Sequence, residues 1–480
     1  MAILEAITKY GAVRGVPGDR GGDYSVFRGV PYAAPPVGAR RFAPPAEPEA
    51  WSGVRDCSAF SAAPYQKRKD GGDYPVSEDC LYLNVYTPAR SAGESLPVMF
   101  WIYGGVFQFG YGHEPTYDGA ALCAEGCILV TINYRVNIFG FFNTPELEAR
   151  NGGAYNFGIL DQIAALRWVQ ENIAAFGGDP SRVMIFGQSA GGVSTRIQLA
   201  CPLSRGLFSR AAAHSGGGLN EADLVRPKAE FTKLCTDALD YLGWTTDDAL
   251  RAEPGELLDK MTAAVEATIP ERDLAYFQPF IDGSTVVDVP GVQLWRGEYP
   301  QDVAVLCGSV AGDSWMFTRK VRAELGENTA YLRAFAYSPG VAWARHNAAH
   351  GFAPIRAYYM DRPQPPREHA YWSHGAPPFG SETPHAAELP YIFGTMTDER
   401  FTNYDYALAR LLRAYWTNFA KTGDPNGPGL PAWPLFTEET PLAMHFGPTE
   451  SRAEDLIASP DEAEVIAFCE EQPGMTVKFK

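Results

Sequence analysis

The chain has 480 residues, 46% of them hydrophobic and 20% charged, which is ample apolar material for a large buried core. A formal net charge of −17 excludes the basic face that a nucleic-acid partner requires. No apolar run reaches the roughly 18 to 20 residues of a membrane span, and none near the start has signal-peptide length. A soluble, cytoplasmic protein with neither nucleic acid nor membrane as partner is expected.

No linker, charge block or repeat divides the sequence, so one large domain with long excursions is expected. In chain order, LPVMFWIY (96–103) and CILVTINY (127–134) are short, nearly continuous apolar runs. They predict strands buried on both faces, as a mostly parallel sheet requires. A helix follows over 161–176, where Ile163, Leu166, Val169, Ile173 and Phe176 recur at helical spacing and Gly177-Gly178 supplies the stop. RVMIFG (182–187) is a third strand, then a turn at Gly187-Gln188-Ser189 and a helix over 190–200. VAVLCG (303–308) and IRAYYM (355–360) complete the buried strands. Strands alternating with helices indicate an α/β fold with helices on both sheet faces.

Eight cysteines are scattered at 57, 80, 123, 127, 201, 235, 307 and 469, which is no disulfide framework in a chain of this length. Cys123 and Cys127 lack the second Cys/His pair of a zinc site. His346 and His350 share a helical spacing, but the residues between them lack the glutamate of H-E-x-x-H. No metal or other cofactor is expected.

The remaining candidate chemistry centres on MIFGQSAGGVS (184–194). With 48 glycines in the chain, chance supplies on the order of 0.3 matches to G-x-S-x-G, so the motif alone decides little. Its setting decides more. A strand, a tight turn and a helix hold a serine hydroxyl above a sheet, beside a helix N-terminus that favours negative charge. A neutral serine also needs a base within hydrogen-bond reach and a third group to orient that base, here in the chain order Ser, acid, His. Among the later histidines, His385 in the turn-rich SETPHAAELPYIFG is the candidate base. Asp313, in the small-residue loop after strand 303–308, is the candidate acid, with Asp282, Asp302 and Glu388 as competing carboxylates.

Four segments, spread nearly end to end, resemble the type-B carboxylesterases, the family of α/β-hydrolases that also holds cholinesterases and fungal lipases. They are FRGVPYAAPPVGARRFAPPAEPEAWSGVRD (27–56), SEDCLYLNVYTP (77–88), NFGILDQIAALRWVQENIAAFGGDPSRVMIFGQSAGG (156–192) and FAKTGDPNGPGLPAWP (419–434). The second and third match the family's two signature motifs, and the pattern resembles the bacterial para-nitrobenzyl-esterase-like members. The resemblance implies an α/β-hydrolase fold, a mostly parallel sheet flanked by helices, with a cap-like helical excursion over roughly 315–380 above an active-site gorge. It implies Ser189 as nucleophile, His385 as general base and Asp313 as orienting acid, where glutamate is commoner in the family. The oxyanion hole would use the N–H groups of Gly105, Val106 and Ala190, and Ser215 would either support the triad or be a plain strand-end hydroxyl.

Three departures from the family pattern carry expectations. Val106 replaces a smaller residue and should narrow the space for bulky acyl or tertiary-alcohol groups. Gln188 replaces a glutamate, and the loop from about 64 to 80 has no tryptophan to hold a quaternary ammonium, so cholinesterase activity is not expected. That loop also offers Cys80 no near partner other than Cys57, which fits a reduced, intracellular protein. The interval from Asp313 to His385 is shorter than in many relatives, implying a more open pocket with Phe107, Phe109, Phe141, Trp315, Trp372 and Phe379 as candidate lining.

The expected reaction is hydrolysis of a small-molecule carboxylic ester by a monomer or small homo-oligomer. Acyl transfer or ring closure with the same triad is the alternative. A non-catalytic adhesion or scaffold role is disfavoured because all three triad residues are present.

Overall fold

A computed structural model of the chain describes residues 1–68, 72–153, 155–216, 225–269, 276–313, 338–365, 383–397 and 399–456. Their centre is an eleven-stranded sheet. In chain order its strands are β1 (Val16–Pro17), β2 (Ser25–Pro31), β3 (Tyr82–Thr87), β4 (Leu96–Ile102), β5 (Ile128–Ile132) and β6 (Gly178–Gln188). They continue with β7 (Arg210–His214), β8 (Ala304–Val310), β9 (Arg356–Met360), β10 (Ala443–Phe446) and β11 (Ser451–Glu454). The order across the sheet is β11-β10-β9-β8-β7-β6-β4-β5-β3-β2-β1. From β10 to β5 neighbouring strands are parallel, while β3, β2 and β1 at one edge and β11 at the other are antiparallel.

The five apolar runs of the sequence all lie in this parallel region. Val183 to Phe186 of β6 and Val98 to Ile102 of β4 have no exposed surface, because helices cover both faces. The mixed sheet flanked by helices is the α/β-hydrolase architecture.

Two helices frame the site. Helix α1 (Phe157–Asn172) begins four residues before the predicted start, after Asn156 at φ 52°. The Asn156 side chain bonds Phe280 O at 2.8 Å and Asp282 Oδ2 at 2.7 Å, a tertiary anchor that periodicity does not register. The predicted last turn, Ile173–Phe176, tightens to a 3-10 turn before Gly177 at φ 82°. Helix α2 (Ala190–Ala200) starts directly after Ser189, as its sequence predicts, and every one of its residues is buried.

The expected excursion over 315–380 falls largely outside the described residues. Its described part, 338–365, carries the helix Trp343–Ala349 and strand β9 of the central sheet.

Candidate active site

Ser189 sits at the C-terminal end of the central strand β6 with φ 58° and ψ −126°, a strained conformation for a residue other than glycine. The surroundings over-determine it. Its N–H donates to His214 O at 2.9 Å on neighbouring β7, and its carbonyl accepts from Val193 N at 2.9 Å in the first turn of α2. Gly191 lets α2 approach the sheet: a Cβ there would lie 2.0 Å from Ile102 O, so no other residue fits. The glycines of G-x-S-x-G thus serve close backbone approach around a buried serine.

Asp313 comes three residues after β8 and is buried, with Oδ2 accepting from Val310 N at 3.1 Å. His385 comes from a separate loop, and its Nδ1 lies 2.6 Å from Asp313 Oδ1. Both side chains are nearly inaccessible to water, so the pair acts in a medium of low dielectric. The two loops are also joined by backbone, Gly312 N donating to Thr383 O at 2.9 Å. Ser189, Asp313 and His385 therefore all project from the same sheet edge, where the crevice of a parallel α/β sheet lies.

The competing carboxylates are placed differently. Asp282 is a turn-former whose Oδ1 accepts from the N–H groups of Ser284, Thr285 and Val286. Asp302 is exposed just before β8, at the opposite end of that strand from Asp313. Glu388 is buried, and its carboxylate has no hydrogen-bond partner among the described residues, with His214 Nδ1 3.6 Å away.

Two of the other described histidines are held by packing. His214 Nε2 accepts from Trp416 Nε1 at 3.0 Å. His346 stacks on Trp295, and burial pushes its pKa down to about 4, which keeps the ring neutral. His369 and His374 lie outside the described residues. Among the described residues no group of three or more His, Cys, Asp or Glu side chains could hold a metal.

The loop after β4 carries Gly105, Val106 and Phe107, the last two at φ 49° and 59°. Among the described residues no carbonyl or side chain takes up the N–H groups of Gly105, Val106 or Ala190. Ala190 is the first residue of α2, where an N–H has no intrahelical acceptor. Three unclaimed donors beside a serine suit a developing oxyanion.

Residues the sequence reading missed hold this loop. Asn137 N donates to Phe107 O at 2.6 Å, and its side chain donates to Tyr65 O and Gln108 O. Gln66 exchanges two hydrogen bonds with the backbone of Gly110. Neither residue stands in a periodic or spaced pattern, so nothing local marks them.

The remaining expected site residues are placed as follows. Phe107 is buried with its ring edge-on to Phe141 at 5.5 Å. Phe109 is half-buried, whereas Trp315, Trp372 and Phe379 lie outside the described residues. Ser215, at φ 45°, has a buried Oγ with no hydrogen-bond partner among the described residues. Gln188 is buried at the end of β6, with its carboxamide Nε2 3.0 Å from His385 Nε2. Seven cysteines are free and buried, Cys57 and Cys80 included, and burial pushes the Cys57 thiol up to about 11. Cys469 lies outside the described residues.

Residues 4–371 and 328–463 match the model of the Carboxylesterase family. The chain belongs to that family. It is 34% identical to the para-nitrobenzyl esterase of Bacillus subtilis (strain 168), over 90% of this chain and 92% of that protein. It is 33% identical to the fumonisin B1 esterase of Sphingopyxis macrogoltabida, over 95% of this chain and 88% of that protein. A solved PNB esterase structure superposes with a TM-score of 0.82 at 30% identity, covering 96% of this chain and 99% of that one. This carboxylesterase is accordingly a carboxylic ester hydrolase with the α/β-hydrolase fold. No helix among its described residues is long and apolar enough to cross a membrane.

Proposed function

We propose that this carboxylesterase cleaves small-molecule carboxylic esters through an acyl-enzyme on Ser189, with His385 as general base and Asp313 as the acid that orients it. The observation that carries this reading is the buried hydrogen bond of 2.6 Å between His385 Nδ1 and Asp313 Oδ1, at the same sheet edge as the strained Ser189. A carboxylate accepting at Nδ1 places the neutral imidazole's proton there and leaves Nε2 as the acceptor. His385 Nε2 takes the hydroxyl proton as Ser189 Oγ attacks the ester carbonyl. The N–H groups of Gly105, Val106 and Ala190 receive the oxyanion, each such donor worth about 3 kcal/mol of barrier. The proton passes to the leaving alcohol, and water then repeats the sequence on the acyl-enzyme. Phe107 backs the loop of the oxyanion hole.

The names of the relatives, para-nitrobenzyl esterase and fumonisin B1 esterase among them, support small organic esters as substrates. Val106 favours short acyl groups and unbranched alcohols. The enzyme acts as one α/β-hydrolase domain, as a monomer or small homo-oligomer in the cytoplasm, and needs no cofactor.

A panel of chromogenic esters of graded acyl and alcohol size, assayed on wild type, Ser189→Ala and His385→Ala, tests this reading. Short acyl chains are expected to turn over fastest, and both variants to lose at least about a thousandfold in kcat. Full turnover by Ser189→Ala would overturn the acyl-enzyme, whereas full turnover by His385→Ala would overturn only the assignment of the base.

A further inference from the structure

We infer that Gln188 is a positioning residue for the general base: its carboxamide caps His385 Nε2 in the resting enzyme and turns over when the imidazole takes up a proton. The inference rests on the role proposed for His385 and adds a second control on it, opposite Asp313.

The proton assignment follows from the partners. Asp313 accepts at Nδ1, so Nε2 of the neutral ring offers only a lone pair. Only a donor can satisfy a lone pair at 3.0 Å, and the Nε2 amide group of Gln188 is placed there. That lone pair is also the one that must receive the Ser189 proton. One lone pair serves one donor well, so the carboxamide and the seryl hydroxyl compete for it.

Protonation reverses the match. Nε2–H is then a donor facing an amide N–H, and two donors cannot pair. Rotating the carboxamide about its last side-chain bond brings Oε1 to the ring and converts the clash into a hydrogen bond. No proton moves through Gln188: the proton leaves Ser189 Oγ, rests on His385 Nε2 and departs with the alcohol. Glutamine can meet both states of the base. Glutamate could meet only the protonated one, and methionine neither.

Backbone pairing fixes Gln188 in place. It is the last residue of β6, in register with His214 on β7. Among the described residues, the ionisable groups of the surrounding elements are Asp313 after β8, Glu388 three residues on from His385, and His214. All three stay unchanged in the variants below.

The test is the pH profile of kcat/KM on a neutral chromogenic acetate ester for wild type, Gln188→Glu and Gln188→Met, with Ser189→Ala as control. Gln188→Glu should move the acidic limb to higher pH by about one unit, because a carboxylate beside the ring favours its cation. Gln188→Met, which removes a hydrogen bond from both states and the stronger one from the cation, should move it to lower pH by about half a unit. A purely structural role would lower the rate in both variants and leave the limb in place, and that result overturns the inference. A ring-nitrogen NMR titration of His385 in the resting protein should give the same order without turnover, and equal midpoints in all three proteins would likewise overturn it. Undiminished turnover by Ser189→Ala would instead remove the acyl-enzyme reading, and the NMR titration would still decide the contact with Gln188.

Discussion

The N–H of Gly312 donates to the carbonyl of Thr383 at 2.9 Å, tying the loop that presents Asp313 to the loop that presents His385. The two side chains come from positions 72 residues apart, so their 2.6 Å contact depends on this backbone seam as well as on their own attraction. The same two loops make an isolated parallel bridge between Gly312 and Pro384.

Substituting Gly312 therefore tests how tightly the pair is held. A Cβ at this position would lie 2.3 Å from Thr383 O, and backbone atoms cannot yield cheaply. Gly312→Ala should force the loops apart and lower kcat by about a hundredfold, with a smaller effect on KM. Steady-state kinetics on one chromogenic ester measure this. An unchanged kcat would mean that the seam does not set the geometry of the pair.

Val106 combines a β-branched side chain with φ 49°, a backbone state that costs about 1 to 3 kcal/mol. Val106→Gly should relieve that strain and open space beside Ser189. The expected outcome is turnover of acetate esters within a few-fold of wild type, with hydrolysis of tertiary-alcohol esters raised by at least about tenfold. Competition between a primary and a tertiary acetate ester reads the ratio directly.

Arg135 and Asp161 form a buried bidentate pair, with Nε–Oδ2 and Nη2–Oδ1 both at 2.8 Å and side chains 3% and 0% exposed. It joins α1 to the segment leading to Asn137, which holds the loop of Gly105, Val106 and Phe107. Asp161→Ala should cost about 3 to 5 kcal/mol, because it strands a buried cation. The double variant Arg135→Met with Asp161→Leu should be more stable than Asp161→Ala alone, since it strands no charge. Urea unfolding of the three proteins checks both statements.

His445, on β10 in register with Arg452 of the edge strand β11, lies between two carboxylates, with Asp361 Oδ1 2.8 Å from Nε2 and Glu454 Oε1 against Nδ1. Burial works against its cation, but Asp361 and Glu454 outweigh burial and raise its pKa above the ordinary histidine value. A raised folded-state pKa gives stability that is fully present below the unfolded value of about 6.5 and is lost as pH rises through the folded value. The Tm advantage of wild type over His445→Gln should accordingly be largest at pH 5.5 to 6 and shrink above pH 7. An advantage that grows with pH would show that the pair works in the opposite sense.

The sequence by itself determined the parallel sheet, the elbow and the family. Five apolar runs marked strands buried on both faces, and the strand, turn and helix around Ser189 are contiguous, so one local window contains the whole device. His385 and Asp313 were legible only as candidates, because Asp282, Asp302 and Glu388 offered the same chemistry. The fold separates them: Asp282 is spent on its own turn, Asp302 stands before its strand, and Asp313 meets His385. Only the tertiary structure brought Gln188 to the imidazole, Asn137 and Gln66 to the loop after β4, and Gly312 to Thr383. Those contacts join residues far apart in the chain, and a single hydrogen bond across such a gap leaves no period, spacing or composition for a sequence to show.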